Sequence, residues 1–298
     1  MKILIGVDGS HASLDAVRMA ARLVDPARDE VAVYFSPTEL EKRLLGQSRK
    51  VVDGAAAALF EEACTLLPQG FAKPPEMICS SKPAAVGILE STSGWNADLV
   101  VVGARGHGSI ERLFLGSVSR AVVHGSHLPV LVVRTPPAGG RGLRVIACHH
   151  PASAAAVART VNALHWPADT EARVIGVTES MLAAPLPPWL ETRVRDPNTA
   201  AVADAWKKEH DDEVAALGGR LTQFQRTLPA VFGRTDPIVA EGNPGDRILE
   251  RARQDAVDLI IVGRTPTDPL TRWLLGSTSE AVLTHAHASV LVVPVEKT

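Results

Sequence analysis

Residues 98–134 read DLVVVGARGHGSIERLFLGSVSRAVVHGSHLPVLVVR, and the rest of the chain is interpreted from them. An apolar strand, Leu99 to Val102, leads into a turn that contains Gly103, Gly106 and Gly108. A helix follows Gly116-Ser117, and a second apolar strand runs from Val130 to Val133. Glycines before a serine-led helix bring unhindered backbone N–H groups to a helix N-terminus. This arrangement is typical of an anion-binding site.

The same pattern occurs a second time, at residues 258–294, as DLIIVGRTPTDPLTRWLLGSTSEAVLTHAHASVLVVP. Gly263 corresponds to Gly103, and Gly276-Ser277 corresponds to Gly116-Ser117, with no insertion between them. A segment rich in proline and glycine, Thr135 to Gly142, separates the two copies. The sequence therefore predicts a tandem duplication, with one domain at residues 1–136 and another at residues 143–298.

The pattern of strands predicts the fold class. Lys2 to Val7 is a continuous apolar strand, as expected in a parallel sheet covered on both faces. Strands and helices then alternate along each copy, which predicts an α/β fold of two tandem doubly wound parallel sheets. Residues 37–47 fit no element clearly, and residues 185–197 form a proline-broken insertion in the second copy.

Composition excludes several classes of protein. A formal net charge of −2 over 298 residues gives no general attraction to nucleic acid or to an anionic membrane. No apolar run approaches the length of a membrane span, and the amino terminus lacks a signal-peptide pattern, so we expect a soluble cytoplasmic protein. Three scattered cysteines, Cys64, Cys79 and Cys148, indicate neither a disulfide framework nor a zinc site.

Taken together, the first strand ending in VDGS, the DLVVVG strand and the spacing Gly103-x2-Gly106-x9-Gly116-Ser117 resemble the universal stress protein family. The resemblance covers nearly the whole chain and implies a Rossmann-like fold of the adenine nucleotide α-hydrolase type. It also implies ATP as the ligand of the first domain, with Mg²⁺ bridging the phosphates and Asp8 or water. Asp8 and the Phe35 region would lie near the adenine, and Val102 and Gly103 near the base and ribose. The phosphates would be bound by Gly106, Gly116, Ser117, Val118 and Ser119.

The chemistry of the residues supports the same interpretation without the family. Triphosphate oxygens require several N–H donors close together, and glycine alone tolerates both a positive φ and close approach of the backbone. The hydroxyls of Ser117 and Ser119 would add donors, and Arg105 or Arg112 could pair with phosphate or lie in solvent. The alternative is that these glycines only form tight turns and that Ser117 is an ordinary N-cap.

The second copy departs from this pattern. Pro266 stands in the position of Gly106, where it fixes φ and removes an N–H donor. No acidic residue follows the first strand of the copy, which ends in Cys148-His-His-Pro151. Ser277-x-x-Glu280 forms a predicted capping box, whereas the first copy has the cation Arg120 at the equivalent position. These differences predict nucleotide binding in the first domain and argue against it in the second.

Two functions remain open from the sequence. The first is a regulatory stress-response protein that binds ATP in its first domain and hydrolyses it slowly at most, because no residue is placed as a general base. The second is a module without nucleotide, in which the duplicated fold serves association. In either case the short apolar strands at Val130 and Val290 should pair within the chain as a pseudo-dimer, since each would otherwise leave an exposed edge. Further homodimerisation is left open.

Overall fold

The computed structural model describes residues 1–38, 49–105, 115–134, 141–178, 197–264 and 275–295. The unassigned segment lies mostly outside these ranges, as does all of the insertion except Pro197. Strands and helices alternate as predicted, in the order β1 (Lys2–Val7), α1 (His11–Leu23), β2 (Glu30–Phe35), α2 (Arg49–Leu66), β3 (Glu76–Cys79), α3 (Ala84–Trp95), β4 (Leu99–Gly103), α4 (Ser117–Gly125), β5 (Val130–Val133), β6 (Arg144–Cys148), α5 (Ala154–Ala163), β7 (Glu171–Thr178), α6 (Pro197–Gln225), β8 (Ile238–Glu241), α7 (Pro244–Gln254), β9 (Leu259–Arg264), α8 (Ser277–His285) and β10 (Ser289–Pro294). We call the part from β1 to β5 the N-terminal half and the part from β6 to β10 the C-terminal half.

The strands of both halves join in one ten-stranded sheet of order β3-β2-β1-β4-β5-β10-β9-β6-β7-β8. Within each half every neighbouring pair of strands is parallel. The predicted α/β fold of two doubly wound parallel units is confirmed. The chain order of strands changes direction at β1 and β4, and at β6 and β9, which is where α/β sheets bind ligands.

The two halves meet through β5 and β10, which pair in antiparallel fashion. Val132 lies opposite Val290, and Leu131 opposite Leu291. All four residues are buried, so the predicted pairing of these apolar strands within one chain is confirmed. Because the pair is antiparallel, the carboxyl ends of β1–β5 and those of β6–β10 lie at opposite edges of the sheet.

Helices cover both faces of the sheet with apolar side chains. Alternate residues of β4 enter different layers: Val101 packs on the side of α1, α2, α5 and α6, and Val102 on the side of α3, α4, α7 and α8. Each layer continues across both halves, so the two units share their hydrophobic core. In the part of the chain that the structure describes, no helix combines the length and apolarity needed to cross a membrane.

The duplication is also visible in the hydrogen bonds at the start of each half. The Asp98 carboxylate accepts a hydrogen bond from the backbone N–H of Lys2 at 2.7 Å, and Asp258 accepts one from Arg144 at 2.8 Å. Arg141 adds a bidentate contact to Asp258, with both N–O distances 2.7 Å. The connection between the halves is thereby fastened to β9 where β6 begins.

Candidate functional site

The N-terminal half brings most of the predicted site residues to one edge of the sheet. β1 and β4 are neighbours, with Gly6 opposite Val102, so their carboxyl ends lie side by side. Asp8 follows β1 and is exposed, while Val102 is buried and leads into Gly103. We call this place, together with the start of α4, the first site.

Gly103 lies against the backbone of α1. A Cβ atom there would be 2.6 Å from the carbonyl oxygen of Ala12 and 2.7 Å from its carbonyl carbon. Neither backbone atom can move away without displacing the helix. Glycine is therefore required at the end of β4 for the close approach of α1.

The N-terminus of α4 is joined to the same turn. Gly116 is the N-cap, and its N–H donates to the carbonyl of Ala104 at 2.8 Å. The N–H groups of Ser117, Val118 and Ser119 are the first three of the helix and have no acceptor within it. Among the described residues no side chain caps α4. The first site therefore presents a group of backbone donors at the positive end of a helix dipole.

The structure corrects the expected role of the Ser119 hydroxyl. Its Oγ donates to the carbonyl oxygens of Gly103 and Ala104, at 3.0 and 3.1 Å, and the residue is only 3% exposed. The hydroxyl fastens α4 to the end of β4, so its hydrogen is not directed at a ligand. The backbone N–H remains the donor that Ser119 can offer. Ser117 is exposed and is the first helical residue, not the N-cap.

Asp8 shapes the turn after β1. Its Oδ1 accepts a hydrogen bond from the N–H of Ser10 at 2.9 Å, across Gly9, whose φ is 79°. Ser10 in turn caps α1 by accepting from the N–H of Ser13 at 3.3 Å. The carboxylate is thus held at the mouth of the first site while α1 satisfies its own N-terminus.

One predicted residue, Phe35, lies away from this group, and another, Gly106, is outside the described residues. Phe35 ends β2 beside Val7, and its side chain is buried in the apolar layer of α1 and α2. Gly106 falls outside the described residues, as do Gly108 and Arg112. Arg105 is described and partly exposed beside Ala104.

The C-terminal half repeats the frame at the opposite edge of the sheet. Val145 pairs with Leu259 as Ile3 pairs with Leu99, which places His150 in the position of Asp8. The Nδ1 of His150 accepts from the N–H of Ala152 at 3.3 Å, as Asp8 does from Ser10. The imidazole therefore replaces the carboxylate in the same turn. We call this edge, with Gly263 and the start of α8, the second site.

The second site also differs in how its glycine is covered. A Cβ on Gly263 would lie 2.1 Å from the Oγ of Ser153, whose side chain is fully buried. Ser279 donates to the carbonyl of Gly276 in its own helix at 3.0 Å, whereas Ser119 bonds to β4. The space in front of the glycine is therefore filled by a side chain in this half.

The predicted capping box of α8 is wrong. The N-cap is Gly276, one residue before Ser277, and among the described residues no side chain caps the helix. Glu280 instead contacts α4, with 3.4 Å to Nη1 of Arg120 and 3.6 Å to Nε2 of His124. Arg120 in the first turn of α4 is therefore compensated by Glu280, the equivalent residue of the other half. The contrast between these residues no longer indicates which site holds an anion.

His149 lies beside the second site and is half-buried. Its ring packs on Phe224 at 5.2 Å between centroids. The pKa of His149 lies below its ordinary value. Burial is the largest cause, and the charges of Arg220 and His150 lower the pKa further. The second site is therefore lined on this side by an imidazole that favours its neutral form.

Sequence reasoning missed Arg134, which follows β5 at the edge of the first site and is 7% exposed. In the sequence, Arg134 could have been noticed as a charged residue directly after four apolar ones. The corresponding residue of the second copy is Pro294. For metal ions, no group of three His, Cys, Asp or Glu side chains suited to binding one occurs within the described ranges.

Comparison with known proteins places this geometry in context. A model described as the universal stress protein family matches residues 1–134 and again residues 146–294. A universal stress protein of Mycolicibacterium smegmatis is 28% identical over 312 residues, which cover 98% of this chain and 96% of that protein. A universal stress protein of Mycobacterium tuberculosis is 28% identical over 315 residues, covering 97% and 94% of the two chains.

Solved structures share the fold. The crystal structure of a universal stress protein from Archaeoglobus fulgidus has a TM-score of 0.57 at 18% identity. The match covers 99% of this chain and 98% of that protein. A functionally unknown protein from Pseudomonas aeruginosa has a TM-score of 0.59 at 14% identity, with coverages of 98% and 92%. The arrangement of two units in one chain therefore has full-length structural parallels.

Proposed function

Since the chain belongs to the universal stress protein family, we propose that its N-terminal half binds ATP and that the protein acts in the cytoplasm as a nucleotide-dependent regulator of the stress response. The second site takes no ATP in this proposal. Hydrolysis is slow at most, so the bound nucleotide serves as a signal and not as a substrate to be consumed.

The observation that carries this proposal is the junction of Gly103, Gly116 and the start of α4. Gly103 allows the backbone of β4 to lie against α1, and Gly116 is bonded to Ala104 of the same turn. Three successive N–H groups of α4 follow, without a capping side chain among the described residues. Several donors at a positive helix end match the several oxygens of a polyphosphate.

The chemistry of the first site also fits the rest of the nucleotide. Glycine at positions 103 and 116 lets the backbone pack closely at the end of β4, since a Cβ on Gly103 would lie 2.6 Å from the carbonyl oxygen of Ala12 and one on Gly116 3.3 Å from that of Ala104. Asp8 supplies a fixed carboxylate at the mouth of the site, suited to hydroxyl groups of a sugar or to a hydrated Mg²⁺. Mg²⁺ would be held chiefly by the phosphates.

Slow hydrolysis follows from the groups at the site. Asp8 is the carboxylate that the described residues place there, and its Oδ1 already accepts from Ser10. A general base must reach the attacking water in a suitable geometry. A carboxylate committed to shaping a turn is poorly suited to that role.

The nucleotide content of the purified protein tests the proposal. We expect denatured protein to release ATP, identified by absorbance and ion-exchange chromatography, and stripped protein to unfold at a higher temperature when ATP and Mg²⁺ are added. GTP at equal concentration serves as the comparison. If no nucleotide is released and none raises the unfolding temperature, the proposal fails and the association module becomes the better explanation.

A further inference from the structure

Arg134 lies where the first site meets the C-terminal half. The Val133 carbonyl accepts from the N–H of Ala104 at 2.7 Å, so Arg134 stands one strand away from the turn that holds Gly116. Val130 and Val132 face the layer of α4 and α8, and strand alternation places the Arg134 side chain on that same side. Its Nη2 donates to the carbonyl of Leu283 in α8 at 2.5 Å.

The guanidinium is poorly satisfied for a buried cation. Nε and Nη1 of Arg134 are enclosed and have no hydrogen-bond partner within the described part of the chain. Burial is the largest cause that lowers the pKa of Arg134, and the nearby charge of Arg105 lowers this pKa further. Among the described residues no carboxylate lies within ion-pair distance of it. Burial of a charge is costly unless the charge is paired, so a bound anion would lower the cost of burying Arg134.

Arg264 provides a comparison at the other edge of the sheet. Its Nη1 donates to the carbonyls of Val123 and Ser126 at the end of α4, both at 3.1 Å. Burial alone lowers the pKa of Arg264, and no nitrogen of this residue is orphaned within the described part of the chain. A buried arginine can therefore bind the C-terminus of a helix without leaving its other N–H donors enclosed and unpaired. The two free nitrogens of Arg134 need another explanation.

The surroundings of Arg134 favour the binding of an anion. α4 and α8 run side by side, joined by the contact of Arg120 with Glu280 at 3.4 Å. The N-terminus of α4 and the C-terminus of α8 are thus at the same edge, and Arg134 lies at that edge with Arg105. The carbonyl of Leu283 at the negative end of α8 offsets part of the charge of Arg134, and the positive end of α4 with the remaining charge of Arg134 and Arg105 attracts an anion to the same place.

We propose that Arg134, together with Arg105, binds the terminal phosphates of the nucleotide and makes the first site select nucleotides with a long phosphate chain. This inference rests on the proposed function. Because Leu283 of α8 holds one nitrogen of Arg134, the C-terminal half helps to complete a site formed by the N-terminal half. The two orphaned nitrogens are enclosed, so a phosphate reaches them by displacing the atoms that cover them.

Affinities for ATP, ADP and AMP in single variants test the inference. In Arg134→Gln we expect ATP to bind about tenfold to a hundredfold more weakly, as for the loss of charge-assisted hydrogen bonds, and AMP to change by less than about twofold. Arg105→Gln, at a partly exposed position, should act in the same direction with a smaller effect. Arg134→Lys, which keeps the charge and loses the planar fork, should fall between wild type and Arg134→Gln.

The matched control is Arg264→Gln, which removes a buried guanidinium of the other edge. It should lower the unfolding temperature and leave the ratio of AMP to ATP dissociation constants unchanged. Equal weakening of ATP and AMP in Arg134→Gln would show a structural role and overturn the inference, as would unchanged affinity for both. If Arg134→Gln does not fold, Arg105→Gln and Arg134→Lys decide by the same ratio. Failure of wild-type protein to bind any of the three nucleotides would refute the proposed function itself.

Discussion

The two edges of the sheet carry the same backbone frame and different groups around it. Both have a glycine at the end of the fourth strand of the half and a helix that begins after a glycine N-cap. The first site adds the carboxylate of Asp8, whereas the second has the imidazole of His150 in the same turn. The side chain of Ser153 covers Gly263, whereas the backbone of Ala12 in α1 covers Gly103. The two edges therefore share the backbone frame and differ in the side chains around it.

Substitution of the N-cap glycine should have the largest effect on this contrast. Gly116→Val should weaken ATP binding by at least about a hundredfold, because its Cβ would lie 3.3 Å from the carbonyl of Ala104 and its β-branched side chain would displace the start of α4 from the turn. Gly276→Val is the matched control at the second site and should leave ATP affinity unchanged. Titration calorimetry on folded, nucleotide-free variants measures both. Equal losses in the two variants would mean that the sites do not differ as proposed.

Exchange of the groups after β1 and β6 should have the next largest effect. Asp8→His makes the first site resemble the second and should weaken ATP binding about tenfold, since it removes a charge-assisted contact. His150→Asp should not create a second site, because Pro266 remains in the position of Gly106, where it removes an N–H donor. The number of ATP molecules bound per chain in His150→Asp is the measurement. A value of two would show that this residue alone separates the halves.

The pH dependence of stability should show a smaller difference between the halves. The pKa of His149 is lowered in the folded protein, so on acidification the unfolded chain takes up the proton first. The stabilisation is complete above the unfolded pKa of about 6.5 and is lost as pH falls below it. In His149→Val, which places at position 149 the residue found at the corresponding Val7, the fall in unfolding temperature between about pH 7.5 and pH 5.5 should therefore be shallower. Parallel curves for variant and wild type would contradict this.

The smallest effect is expected for the contact between equivalent residues of the halves. Glu280→Gln should lower the free energy of unfolding by less than about 1 kcal/mol, since Arg120 and Glu280 are both substantially exposed. Affinity for ATP should stay within about twofold of wild type. Arg120→Gln and the double variant complete a thermodynamic cycle measured by denaturant unfolding. Additive losses would show that the two charges do not interact.

The sequence was sufficient for those features that depend on local pattern and spacing. The apolar strands at Val130 and Val290 predicted that the two strands pair within the chain, because two short apolar edges need a partner. That the pair is antiparallel is shown by the structure. The sequence pattern also predicted that Asp8, Gly103 and Gly116 lie at one edge of the sheet, since the carboxyl ends of neighbouring parallel strands meet there.

Features that depend on the third dimension were not accessible from spacing. The capping box failed because α8 begins one residue earlier than assumed and because Glu280 contacts Arg120, which lies 160 residues away. The hydroxyl of Ser119 turns to the carbonyls of β4 and not outward, which spacing cannot specify. Spacing also does not reveal that Arg134 bonds to α8 of the other half and keeps two nitrogens without a partner among the described residues.

Whether the two halves differ in nucleotide binding is decided by calorimetric titration of nucleotide-stripped protein with ATP and Mg²⁺. We expect one ATP per chain, with binding lost in Gly116→Val and retained in Gly276→Val. Two equivalent sites per chain would contradict the claim that the halves have diverged, and no detectable binding would contradict the claim that the first site holds a nucleotide.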